Sequence, residues 1–266
     1  MKESKFIPKY PKRKTFSFKS LNINKSTKMK FKPNVISFLF YNDFELNTMS
    51  YADALEIDKR TFQQYYISLL RVKQYICFSF FPIKDYNVFI IKICLFFLSF
   101  AIYYAFNTLF FNYTIIHELY ENGGSYNLSF VFPSIIYSFI ISYHVNIVIK
   151  YVTVSERNIL EVKNEKTIKL ANKKKIKVKR FLIVKSICYF VISLVFLLLF
   201  WYYLSSFCAV YKNSQKYLIK NTFISYGLGL LYPLLINIIP VIFRKIALNN
   251  KNRECIYNTS KFLQIL

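Results

Sequence analysis

Apolar residues gather in four long runs along this chain. Two of them, Ser186 to Tyr211 and Asn221 to Phe243, contain no charged residue. Two weaker runs precede them, Ile93 to Asn112 and Leu128 to Ile149. A helix needs about 20 mostly apolar residues to cross the hydrocarbon core of a bilayer. The pattern therefore predicts an all-α membrane protein: a four-span transmembrane helical bundle, with spans near residues 93–112, 128–149, 186–211 and 221–243.

Local features refine each span. Lys92 stands at the start of the first, where a long side chain can snorkel to the interface. Asn122-Gly123-Gly124-Ser125 reads as the turn of the loop before the second. Pro133 falls in the first turns of that span, where a missing N–H matters least. The third carries Trp201, Tyr202 and Tyr203 toward its far end, as interfacial aromatics do. The fourth contains Gly227, Gly229, Pro233 and Pro240 and is the span expected to kink. Gly227-Leu228-Gly229 is too short for a dinucleotide fingerprint and suggests close helix packing.

Residues 43–85 show a different periodicity. Phe62, Tyr65, Tyr66, Leu69, Leu70, Val72, Ile76 and Phe80 recur at helical spacing, with Lys59, Arg60, Gln63, Gln64, Arg71, Lys73 and Gln74 between them. Ser50 followed by Asp53 resembles a capping box. This predicts an amphipathic juxtamembrane helix ending at Phe81-Pro82. Arg71 and Lys73 argue against a fifth span. Two placements stay open: in the interfacial plane, or packed on the bundle.

Composition supports the membrane reading. The 266 residues are 55% hydrophobic and 20% aromatic, with only 4 Gly and a mean hydropathy of +0.28. A soluble domain is about 45–50% apolar and richer in Gly. The bias to Phe, Tyr, Ile, Asn and Lys matches AT-rich codons, which offers an origin for part of the +24 charge other than an anionic partner. The five cysteines, Cys77, Cys94, Cys188, Cys208 and Cys255, form no C-x-x-C pair and read as small buried hydrophobes. Residues 1–42 are read as a basic disordered tail; Met1 to Lys32 holds eleven Lys/Arg and one Glu with no apolar stretch of a signal peptide.

Charge distribution assigns topology. Thr153 to Lys185 holds eleven Lys/Arg and Arg244 to Leu266 five, whereas Tyr113 to Asn127 holds none. Lys212, Lys216 and Lys220 are the one discordant loop. Under the positive-inside rule both termini are expected in the cytoplasm.

Several stretches resemble blocks found in a known group. Glu45-Leu46-Asn47, Tyr51, Ala54-Leu55, Asp58-Lys59-Arg60-Thr61, Tyr65-Tyr66 and Leu69-Leu70 form one block. Ile116 to Ser125, Phe200 to Leu204 and Leu231-Tyr232-Pro233 are the others. Together, over roughly Asp43 to Leu266, they resemble a family of uncharacterised multi-pass transmembrane proteins of ciliates and similar AT-rich protists. The resemblance implies membrane residence, and a module that often closes a longer chain. It implies no activity and no functional residue.

Two candidate sites remain. Lys173, Lys174, Lys175, Lys177, Lys179 and Arg180 abut the third span. Such clusters attract anionic lipid head groups at about 1 kcal/mol per residue. They also serve to set orientation or to meet a protein partner. A stacking platform for nucleic acid does not accompany them, so no nucleic-acid partner is expected. His144 and Asn146 lie inside the second span as a possible intramembrane polar site. A polar stripe of Asn107, Thr108, Ser134, Ser138, Ser142, His144 and Asn146 would suit a pore; the other option is hydrogen bonding between helices.

His117, Glu118 and Glu121 do not have zinc-site spacing, and the sequons at Asn112 and Asn127 abut spans, where glycosylation is not expected. No Ser-His-Asp set, P-loop or paired carboxylates are recognisable. The expectation is a non-enzymatic scaffold, anchor or assembly module without cofactors, working in the lipid bilayer, with other membrane subunits or further copies of itself as its candidate protein partners. The alternative is a subunit of an oligomeric channel or transporter.

Overall fold

The computed structural model describes residues 41–264, except residues 82–83, 166 and 251–252. The basic tail expected over residues 1–42 falls almost wholly outside them. Among the described residues the regular structure is helical throughout. Four helices are long and apolar enough to cross a membrane, as the hydropathy runs predict.

The segment before the first span is not one helix. It folds as four: α1 (Asp43–Thr48), α2 (Tyr51–Ile57), α3 (Phe62–Lys73) and α4 (Tyr75–Phe80). Each start has a side-chain cap. Asn42 Oδ1 accepts the Glu45 N–H at 2.8 Å, Ser50 Oγ the Asp53 N–H at 3.2 Å, Thr61 Oγ1 the Gln64 N–H at 3.3 Å, and Gln74 Oε1 the Cys77 N–H at 2.6 Å. Caps satisfy the N–H groups that have no partner in a first helical turn. Repeated three times within the segment, they divide a continuous apolar period into short helices.

The apolar face of α3 packs on the bundle, which decides between the two placements left open by periodicity. Tyr65 and Leu69 are buried against Val241, and Tyr66 Oη donates to the Leu234 carbonyl at 2.7 Å.

The first span, α5 (Phe89–Phe110), is the most enclosed, packing on α4 and on all three other spans. Lys92 does not snorkel: it is 4% exposed, with Nζ 3.1 Å from Asp85. Next, α6 (Tyr113–Glu121) replaces the loop expected there. Ile115, Ile116 and Leu119 of α6 cover one end of the bundle with Phe111, Val131, Ile135, Phe207 and Leu218. The turn then needs positive φ at Gly123 (58°) and Gly124 (82°), which glycine adopts without steric cost. Asn112 and Asn127 of the two sequons cap α6 and α7.

The second span, α7 (Leu128–Thr153), is followed by α8 (Glu156–Lys163). The third, α9 (Ile168–Val210), has 43 residues, far longer than residues 186–211. At 1.5 Å per residue it is about 65 Å long, roughly twice the hydrocarbon thickness. Neither Gly nor Pro interrupts it, and Lys is a good helix former, so the lysine run continues the helix and does not end it.

The fourth span divides into α10 (Gln215–Ile236) and α11 (Ile238–Asn249). The break at Asn237 precedes Pro240, which has no N–H for the Ile236 carbonyl. Finally α12 (Glu254–Leu263) packs on α11, with Ser260 Oγ donating to the Pro240 carbonyl at 2.8 Å.

Candidate functional site

The basic candidates occupy the first third of α9. Lys173, Lys175, Lys177, Lys179 and Arg180 are exposed. Lys174 faces α8, with Nζ 2.8 Å from Glu165 and 3.7 Å from Glu161. Lys185 Nζ donates to the Val154 carbonyl at 2.7 Å, which places it level with the end of α7. The cluster thus extends outward along the same helix that forms the third span. Its exposed surface also carries apolar side chains, Ile176 among them.

Sequence reasoning missed a buried ionic clasp at this end of the bundle. Arg60 and Asp58 form a two-pronged pair, Nε to Oδ1 at 2.7 Å and Nη2 to Oδ2 at 2.8 Å. Arg60 Nη1 also donates to Asn47 Oδ1 and Ser68 Oγ, each at 2.9 Å. Arg244, on α11, donates to Asp58 Oδ2 at 2.7 Å and to the Leu46 and Asn47 carbonyls at 2.7 and 3.2 Å. Its guanidinium carbon lies 4.7 Å from the Tyr65 ring centre and 4.8 Å from that of Tyr257. Two cations against one carboxylate leave a net positive charge. The last carbonyls of α1 and the faces of the two tyrosine rings supply compensating negative potential. Burial alone would raise the Asp58 pKa; the hydrogen bonds and charges of Arg60 and Arg244 outweigh it and lower the pKa.

A second group of charges, these half-buried, lies nearby. Lys150, near the end of α7, donates to the Val72 and Lys73 carbonyls at 2.6 and 3.2 Å and lies 4.0 Å from the Phe78 ring centre. It thereby caps the C-terminus of α3. Burial lowers the Lys73 ammonium to about 8. No pairwise sequence spacing announces either group. The signal available was the number of charged residues interleaved with apolar ones between 58 and 73.

The structure does not bring His144 and Asn146 together. Two residues apart on a helix, they point about 200° from each other. Asn146 is buried, its Nδ2 donating to the Ser142 carbonyl at 2.8 Å, while Tyr75 Oη donates to the Asn146 carbonyl at 2.9 Å. The rest of the polar stripe is buried with it. Ser134 and Ser138 donate to the Phe110 and Phe106 carbonyls at 3.0 and 3.4 Å, and Asn107 donates to Ser225 Oγ at 2.6 Å. These groups form seams between spans.

His144 faces outward on the opposite side of α7, with Nδ1 2.7 Å from the Ile140 carbonyl. There it lines a cleft of about 210 Å³ with Phe139, Tyr143, Tyr232, Ile236 and Leu263. In the connection at the other end, His117 pairs with Glu121 at 3.5 Å, while Glu118 accepts from Asn122.

Comparison of the chain with protein-family models, with curated proteins and with solved structures finds no match.

Proposed function

We propose that this protein is a non-catalytic scaffold or anchor of a membrane, with its basic end and both termini in the cytoplasm. The observation that carries the reading is the shape and exposure of α9. Only 6% of its most apolar stretch is buried within the protein, against 44% for α5. One end of this helix therefore meets lipid or neighbouring spans, and the other presents exposed cations to what lies beyond the bilayer.

Distance divides the cations. Taking Ser186 as the start of the hydrocarbon-facing stretch, Arg180 lies about 9 Å and Lys173 about 20 Å further out along the axis. The head-group layer is some 5–8 Å thick and the Debye length about 8 Å. Lys177, Lys179 and Arg180 then reach anionic head groups. Lys173 and Lys175 extend beyond them, where an acidic surface of a partner subunit suits them better.

The test is purification in mild detergent from membranes of known lipid content, with retained lipid quantified. Wild type should retain anionic lipid, and Gln at positions 177, 179 and 180 should abolish the retention while Gln at 173 and 175 leaves most of it. Equal retention by all three proteins would overturn the lipid assignment. Planar-bilayer recording of the reconstituted protein should show no conductance beyond that of lipid alone. A reproducible unitary conductance would replace the scaffold with a channel.

A further inference from the structure

We propose that the cleft beside His144 binds the hydroxyl end of an uncharged lipid. The inference rests on the bilayer placement proposed above, and it begins with one nitrogen atom. His144 is exposed on the flank of α7, nine residues before the helix ends at Thr153. The second span ends near Ile149, so His144 lies about 8 Å inside it along the axis. A carbonyl can only accept, so the Nδ1 facing Ile140 O carries a proton. In the neutral ring Nε2 is then a lone-pair acceptor, and it has no hydrogen-bond partner among the described residues. Facing lipid, such an atom carries a desolvation penalty until a donor reaches it.

The surroundings define the donor. The cleft is lined by Phe139, Ile140, Ile236, Ile239 and Leu263, so it accepts an apolar body. The phenols of Tyr143 and Tyr232 also line it, and neither forms a hydrogen bond among the described residues. Their rings pack edge to face at 4.8 Å. A few polar groups within apolar walls is the usual composition of a small-molecule site. The volume, about 210 Å³, is smaller than a drug-sized pocket of 300–1,000 Å³. It therefore houses one end of a ligand whose remainder lies along the flank in the bilayer. A phosphate or ammonium head finds no Lys, Arg, Asp or Glu among the residues that line the cleft, and an unpaired charge within the span carries a penalty. What remains is a lipid with a single hydroxyl as its head, either a sterol or an acyl-chain alcohol such as a diacylglycerol. The O–H donates to His144 Nε2, and the phenols can donate to the same oxygen.

Photo-crosslinking in reconstituted proteoliposomes tests this. The probes are a diazirine sterol and a diazirine diacylglycerol, each also prepared as the O-methyl ether, which cannot donate. One of the two alcohols should label peptides containing Tyr143 or Tyr232 at least five-fold more than its ether, and the better probe identifies the lipid class. His144→Phe should erase the preference of alcohol over ether, and Tyr137→Phe, outside the cleft, should keep it. Equal labelling by alcohol and ether, or a preference that survives in His144→Phe, would overturn the proposal. Intact incorporation of each variant is checked by alkaline extraction. Loss of wild type from the bilayer in that control would instead contradict the membrane placement, so the two failures are distinguishable.

Discussion

Arg244 Nη2 lies 2.7 Å from Asp58 Oδ2, across 186 residues of chain. This contact joins the segment before the first span to the continuation of the last. The same closure is made by Tyr257 Oη on the Met49 carbonyl at 3.0 Å, and by Lys261 Nζ on the Thr48 and Met49 carbonyls at 3.1 and 3.0 Å. The side chains of Asp58 and Arg244 are 2% and 1% exposed, so water does little to screen the pair.

Removing one partner from a buried pair leaves an uncompensated charge and costs about 3–5 kcal/mol. Asp58→Ala, which strands two guanidinium groups, is expected to be the most damaging single change at this end. In a double-mutant cycle, Asp58→Asn with Arg244→Met should cost less than the sum of the single changes. Thermal unfolding in detergent measures both; strict additivity would show that the contact is not energetically coupled.

The same pair sets an acid limit. Because the folded Asp58 pKa lies below its ordinary value of 3.8, its contribution is complete above the unfolded pKa. It is lost as pH falls through the lowered folded value. Stability of the wild type relative to Asp58→Asn should therefore stay level from pH 7 to about 5 and decline below about 4.

Lys73 works in the opposite sense. Its folded pKa of about 8 lies below the ordinary 10.5, so the folded state binds fewer protons between these values. The cost of its half-buried charge is complete below about pH 8 and is relieved as pH rises toward 10.5. Lys73→Met should be more stable than wild type at pH 7, and the advantage should shrink by pH 10.

Two glycines on α10 separate packing from propensity. A Cβ at Gly229 would fall on the Tyr103 phenol, whereas one at Gly227 meets nothing within 4 Å. Gly229→Ala should destabilise by about 1–3 kcal/mol through overpacking of α5 against α10. Gly227→Ala should be neutral, or stabilising by up to about 1 kcal/mol from helix propensity. Similar melting temperatures for the two variants would contradict the close approach at Gly229.

The spans were legible because an uncharged run of some 20 residues has few other uses. Their polar ends were less so. Charge marked Lys173 to Arg180 as extramembrane, but charge does not terminate a helix, so the continuity of α9 was hidden. Ser50 was recognisable as a cap, while Thr61 and Gln74 were masked by an apolar period that ran through them. Arg60 looked like part of a solvated face because its partners, Asn47, Ser68 and the Asp58 shared with Arg244, converge only in three dimensions. Of the polar stripe in the second span, Ser134, Ser138, Ser142 and Asn146 do share the buried face. His144 breaks from that periodicity, and a count of 100° per residue separates it.

The central claim is that lipid surrounds the four apolar helices. Alkaline carbonate extraction of membranes from cells expressing the full chain, followed by ultracentrifugation, examines it most directly. The protein is predicted to stay in the pellet and to enter solution only with detergent. Recovery of a compact, monodisperse monomer in the carbonate supernatant would contradict it.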